Sequence, residues 1–163
     1  MKAFEPAVLA LAQALREAGL QLATAESCTG GMIAAACTAV AGSSDWFERG
    51  FVTYSNAAKT DMLGVDAALI RAHGAVSAEV ARAMAEGALA HSRAGLAVAV
   101  TGIAGPGGAT PGKPVGTVWL GLAQRSGDTT TELLQLSGDR ASVREQTVHT
   151  ALQRLIARAV PGP

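Results

Sequence analysis

The chain has no hydrophobic run long enough to cross a membrane. Its longest apolar stretches, near Met32 to Ala41 and Leu96 to Val100, fall well short of the ~20 residues that a span requires. The opening Met1-Lys2-Ala3-Phe4-Glu5-Pro6 has one lysine followed by an acid and a proline instead of an apolar core. No signal peptide is read there, and a cytoplasmic protein is expected. Cysteine is scarce: Cys28 and Cys37 stand alone without a CxxC, and His73, His91 and His149 are scattered. That spacing excludes a zinc ligand set and a disulfide framework, so no metal is expected. Thirteen basic residues balance thirteen acidic ones with no run of either sign, which leaves no electrostatic footprint for nucleic acid or an anionic membrane. A small-molecule partner is the class that remains.

At 163 residues the chain has the size of one ordinary domain, 1–163, able to bury a core without staples. Apolar positions at helical spacing (Val8, Leu11, Ala12, Leu15) predict a helix over Ala7 to Ala18, stopped by Gly19. A strand at Gln21 to Ala25, a helix from Thr29 to Val40 and a turn at Gly42 to Asp45 follow. The alternation of Arg49 to Ser55 predicts a strand, Asn56 to Leu63 a short helix closed by Gly64, and Asp66 to Ala72 a further short helical stretch. Ser77 caps a helix reaching His91. Leu96 to Thr101 is a near-continuous apolar run, the pattern of a strand covered on both faces. Val115 to Ala123 and Thr130 to Leu136 predict two more strands, and Arg140 to Ala159 a last helix with Val148, Ala151, Leu152, Leu155 and Ile156 as its core stripe. Helices before, between and after strands imply an α/β protein with a mixed sheet covered on both faces.

Two segments place chemistry at predicted helix starts. In Ala25-Glu26-Ser27-Cys28-Thr29-Gly30-Gly31, Ser27 falls at a strand-to-helix turn, where unpaired backbone N–H groups favour negative charge. Ser27 there is either a nucleophile beside an oxyanion site or, with Thr29, a simple N-cap. Cys28 is a rival nucleophile, since a helix start lowers a thiol pKa. In Tyr54-Ser55-Asn56-Ala57-Ala58-Lys59, Lys59 stands in the first turn of a helix capped by Ser55 or Asn56. It is a surface lysine or a general base; for the second, the helix dipole, at about 1 kcal/mol, is too weak, and burial must supply most of the roughly 4 kcal/mol a basic lysine needs. Tyr54 is the aromatic placed to face such a site, whereas Trp46, Phe47 and Trp119 read as core or interface anchors.

Gly102 to Gly112 is glycine-rich and follows a buried strand, so it is a structural loop or one whose backbone approaches a ligand closely. Within it Gly107 to Lys113 spells G-x-x-x-x-G-K. Pro114 occupies the magnesium-ligand position and a strand follows, so this is no P-loop and ATP is not implied. Arg140 and Arg144, four apart, fall on or beside the buried face of the last helix. Cations at a helix start call for an anion, either Asp139 or a substrate phosphate or carboxylate.

Taken in order, Thr24-Ala25-Glu26-Ser27-Cys28-Thr29-Gly30-Gly31, Gly42-Ser43-Ser44, Phe47 to Asn56 with Lys59, Gly74-Ala75-Val76-Ser77, Thr101 to Gly108, Lys113 to Trp119, and Gly138-Asp139-Arg140 with Arg144 resemble the CinA C-terminal domain family across nearly the whole chain. The resemblance implies a three-layer α/β/α domain, a homo-oligomer, and a nicotinamide-nucleotide amidohydrolase that converts nicotinamide mononucleotide to nicotinate mononucleotide and ammonia without metal or cofactor. It makes Ser27 the nucleophile and Lys59 its base, with Tyr54 close by. Thr29, Gly30 and Gly31, together with Thr101, Gly102, Ala104, Gly105 and Arg140, fall on the substrate side. Ala109 and Gly112 depart from the family's usual Gly and Glu. Many CinA proteins carry a preceding domain, and a stand-alone form is expected here. The alternative reading is a non-catalytic nucleotide-binding or regulatory module.

Overall fold

Large and small apolar residues alternate along the central strands, and that alternation sets the layers. In β1 (Leu22–Glu26) and β3 (Leu96–Gly102) the order Leu22-Ala23 and Leu96-Ala97-Val98-Ala99-Val100 turns branched or long side chains to one face and alanine to the other. The computed structural model describes residues 1–159. On the large-residue face, Leu22, Leu96, Val98, Val100, Val118 and Leu120 pack with α1 (Glu5–Ala18), α2 (Met32–Thr38) and α6 (Arg140–Ala159). On the alanine face, Ala23, Ala25, Ala97 and Ala99 pack with α3 (Asn56–Leu63), α4 (Ala67–His73) and α5 (Ala78–Ala90). The three layers are α/β/α, as expected. Helix α5 lies so close to β4 (Thr117–Gln124) that a Cβ on Gly121 would stand 2.6 Å from the carbonyl oxygen of Ala81.

The five strands run in the order β2-β1-β3-β4-β5, with β2 at Phe47–Val52 and β5 at Thr130–Gln135. β1 is parallel to β2 and β3, whereas β3–β4 and β4–β5 are antiparallel. Glu26 pairs with Val52 on one side and Val100 on the other, so β1 and β2 finish level and β3 runs two residues further, to Gly102. The segments after β1, β2 and β3 therefore meet at one edge of the sheet, where α/β proteins bind their ligands. No helix among the described residues is long and apolar enough to cross a membrane.

Helices α3 and α6 have the bounds expected from sequence; α2 does not. It begins at Met32 and ends at Thr38 instead of spanning Thr29 to Val40, because Gly30 (φ 56°) and Gly31 (φ 106°) keep the chain in a turn that L side chains disfavour. β2 starts and ends earlier than Arg49 to Ser55, since the N–H of Leu22 already bonds the carbonyl of Trp46 and pairing begins at Phe47. β4 starts at Thr117, after a turn in which the N–H of Gly116 bonds the Ile103 carbonyl. Along α6, Ile156 is only partly buried, Arg144 half-buried and Arg140 exposed, so Arg140 lies off the buried face.

Candidate active site

Ser27 is the first residue beyond β1, and its N–H extends the sheet by bonding the Val100 carbonyl at 3.0 Å. Its hydroxyl meets a side chain arriving from α3. Ser55 caps that helix, accepting the N–H of Ala58 at 3.0 Å, and Lys59 follows one turn later. Lys59 is 2% exposed, with Nζ 3.1 Å from Ser27 Oγ and donating to the Thr53 carbonyl at 3.0 Å. Burial holds its pKa below the ordinary lysine range, in the direction a proton acceptor needs. The shift comes first from desolvation, the contribution that the dipole alone could not make.

The neighbouring thiol is unsuited to the nucleophile's part. Cys28 is buried against the large-residue core, and burial pushes its pKa up to about 12. A thiolate at that position is scarce at neutral pH, contrary to the expectation that a helix start would lower it. The helix start itself is occupied. Glu26, 1% exposed, accepts the N–H of Ile33 at 2.8 Å and of Ala34 at 3.0 Å, together with the Thr29 hydroxyl at 2.6 Å. The α2 donors expected to face an oxyanion are therefore already bonded to a carboxylate.

A cavity of about 240 Å³ opens in front of Ser27. Ser27, Cys28 and Tyr54 line one wall; Gly102, Ile103, Ala104, Gly105, Gly107 and Gly108 line the other. Arg140 joins the two, donating to the Gly105 carbonyl and to the Tyr54 hydroxyl, each at 2.9 Å. Neither acceptor is a carboxylate, so among the described residues no anion offsets the guanidinium at the rim of the cleft. Tyr54 is 61% exposed.

Other residues expected on the substrate side are turned elsewhere. Thr29 is fully buried with its hydroxyl on Glu26, Gly30 and Gly31 form the turn behind, and Thr101 bonds the Ala75 carbonyl. None of these four lines the cavity. Among the described residues Arg144 meets no anion: its guanidinium donates to the carbonyls of Cys28 at 3.2 Å and Thr29 at 3.3 Å, while Asp139 caps α6 through the N–H of Ser142. Lys113 turns to the His73 carbonyl, away from any phosphate cradle. His73 sits 3.4 Å from Glu79, His91 bonds Gly87 and His149 meets Phe4 with the rings tilted, and none of the three lines the cavity.

Sequence reasoning passed over Glu26. The signal was present: Leu22, Thr24 and Glu26 share one strand face, and a charge on the face that carries Leu22 has to find donors. The backbone contacts of Arg144 had no such signature.

The fold and the cleft define an α/β domain that presents a serine–lysine pair at the carboxyl edge of its parallel strands. The family model of the CinA C-terminal domain matches residues 5–159. The chain belongs to that family. It is 62% identical over 145 residues to a CinA-like protein from Citrifermentans bemidjiense, covering 89% of this chain and 35% of that protein. It thus spans about a third of the length of such CinA-like relatives. It is 53% identical over 143 residues to the nicotinamide-nucleotide amidohydrolase PncC of Escherichia coli K12, covering 88% of this chain and 87% of that protein. The crystal structure of the competence/damage inducible protein CihA from Agrobacterium tumefaciens superposes with a TM-score of 0.92 at 49% identity, covering 94% of each chain.

Proposed function

We propose that the protein hydrolyses the carboxamide of nicotinamide mononucleotide, releasing ammonia and nicotinate mononucleotide. The observation that carries this reading is the 3.1 Å approach of a buried lysine to Ser27 at the mouth of a cleft. Its support from similarity is the name and coverage of the PncC relative. Neutral Lys59 accepts the Ser27 proton; the Thr53 carbonyl takes one amine hydrogen and so directs the lone pair toward Ser27. Ser27 Oγ bonds the carboxamide carbon, and the resulting oxyanion needs donors other than the α2 start. Cys28, Ala104, Gly105, Gly107 and Gly108 line the cavity, and their N–H groups hold no partner among the described residues, so the donors are drawn from this set. Protonated Lys59 returns its proton to the amide nitrogen, the C–N bond breaks and ammonia leaves. Water then attacks the nicotinoyl ester of Ser27, gives its proton to Lys59, and nicotinate mononucleotide departs with Ser27 restored.

Arg140 supplies the charge for the substrate's phosphate, and Tyr54 holds that guanidinium in place. Every bond in this sequence is made and broken by protein and water alone. The test is ammonia release from nicotinamide mononucleotide by the wild type and by Ser27→Ala. Turnover in the first and none in the second is expected. Absence of turnover at micromolar wild-type enzyme would leave the chain as a nucleotide-binding module instead.

A further inference from the structure

Glu26 has no part in the reaction just described, yet the region around Ser27 is tied together through it. Its Oε1 accepts from the Thr29 hydroxyl and the Ile33 N–H, and its Oε2 from the Ala34 N–H. Its own carbonyl accepts the N–H of Thr53 at 2.9 Å, and the Thr53 carbonyl in turn holds Lys59 Nζ. A single residue therefore links the end of β1, the Ser27 turn, the start of α2 and the lysine's acceptor. Burying a carboxylate is costly unless donors surround it, and a Ser, Thr or Asp at the N-cap would serve α2 more simply. Here the N-cap is Gly31 and the carboxylate comes from the strand.

The turn needs such a tether. Gly30 and Gly31 contribute no side chains to pack, so beyond the buried Cys28 its position rests on hydrogen bonds. From the far side α6 supplies two more, Arg144 to the Cys28 and Thr29 carbonyls. Building on the reading of Ser27 and Lys59 as the reacting pair, we propose that Glu26, acting through Thr29, and Arg144 are positioning residues that bracket the Ser27 turn and set its hydroxyl against Lys59. Arg144 in this assignment is not a substrate ligand. Neither residue touches the reacting atoms; each acts through the main chain of the turn, where a misplacement of about 1 Å costs on the order of 100-fold in rate.

The experiment compares the wild type with Thr29→Val, Thr29→Ser and Arg144→Met. It measures kcat and KM for nicotinamide mononucleotide, melting temperature, and the rate at which a fluorophosphonate labels Ser27. Thr29→Val keeps the side chain's shape and deletes the donor to Glu26. It is expected to lower kcat by roughly 10- to 100-fold with KM within about twofold. Thr29→Ser restores the donor and should return kcat to within about threefold of the wild type, a rescue that stability alone would not produce. Arg144→Met should also lower kcat and leave KM in place. Native kcat in Thr29→Val, a Thr29→Ser variant as slow as Thr29→Val, or an Arg144→Met variant with raised KM and native kcat would each overturn the bracket.

Labelling separates this proposal from the one beneath it, because a fluorophosphonate needs an activated serine and no nucleotide. If the wild type labels at Ser27, the variants label more slowly in the same order and nicotinamide mononucleotide is not turned over, the bracket stands and the substrate reading falls. If the mononucleotide is turned over and the variants match the wild type in both kcat and labelling, the bracket falls and the substrate reading stands. A wild type that neither labels nor turns over removes both.

Discussion

Behind Ser27, beneath the lining of the cleft, Lys59 is 2% exposed and Glu26 1% exposed, and each spends its polar atoms on named partners within the fold. At the rim of the opening Tyr54 is 61% exposed, and Arg140 reaches to a carbonyl and a phenol that water could replace. The buried layer holds its groups in one arrangement, while the rim can exchange partners cheaply. Proton transfer needs the former, because the reacting atoms must be preset. Recognition of a charged substrate group uses the latter, because a cation with neutral partners gains on meeting an anion.

Substitutions should reproduce this contrast, with the buried layer governing turnover and the exposed rim governing preference. Ser27→Ala is expected to lower kcat by roughly 10⁴-fold or more while the melting temperature barely moves. Cys28→Ala should retain most activity, since its thiol is held protonated with a pKa of about 12. An inactive Cys28→Ala beside an active Ser27→Ala would reverse the nucleophile assignment.

Lys59→Arg should show no measurable turnover, because guanidinium keeps its proton at any working pH. In the wild type kcat/KM should rise with pH through a value below the ordinary lysine range, as the buried amine loses its proton. Stability follows with a definite sign. Between the lowered folded value and the ordinary unfolded one near about 10.4, the unfolded chain binds the extra proton, so the fold gains stability as pH rises. The melting temperature of the wild type relative to Lys59→Met should accordingly increase from neutral toward alkaline pH. A flat difference would mean that Lys59 is charged in the folded protein.

Effects at the rim should be smaller and directed at the substrate. Arg140→Ala is expected to reduce kcat/KM for nicotinamide mononucleotide by roughly tenfold or more, and for the riboside much less. An unchanged ratio between the two substrates would move the phosphate onto the glycine loop. Tyr54→Phe removes one exposed hydrogen bond and should raise KM by about threefold with kcat nearly native. A collapse of kcat in that variant would transfer Tyr54 to the buried layer's side of the comparison.

The legibility of the sequence divides along similar lines. Ser55 as a cap, Gly64 as a stop and Lys59 between them all follow from local rules, and α3 has the bounds they predict. The start of α2 does not, because its donors are satisfied by Glu26, a residue whose distance along the chain belongs to no capping pattern. Thr29 and Arg144 were legible as polar groups near the site but not as parts of its frame. Hydroxyl and guanidinium partners depend on how β1, α2 and α6 stack, which is tertiary information. The strand pairing that moved β2 forward to Phe47 is of the same kind.

The alanine face has a bearing on how this domain can vary. Ala23, Ala25, Ala97 and Ala99, together with Gly121, set the distance between the sheet and the α3–α5 layer, and Lys59 rides on that layer. Enlarging any of them would force the helices away from the sheet, which costs typically about 1–3 kcal/mol and also draws the amine away from Ser27. In a random library, variants on this face should therefore lose more activity than their fall in melting temperature explains. Changes of equal size among the leucines and valines opposite should register chiefly as thermal sensitivity. The small side chains act as a calibrated spacer, and drift at these positions would be filtered by rate as well as by folding.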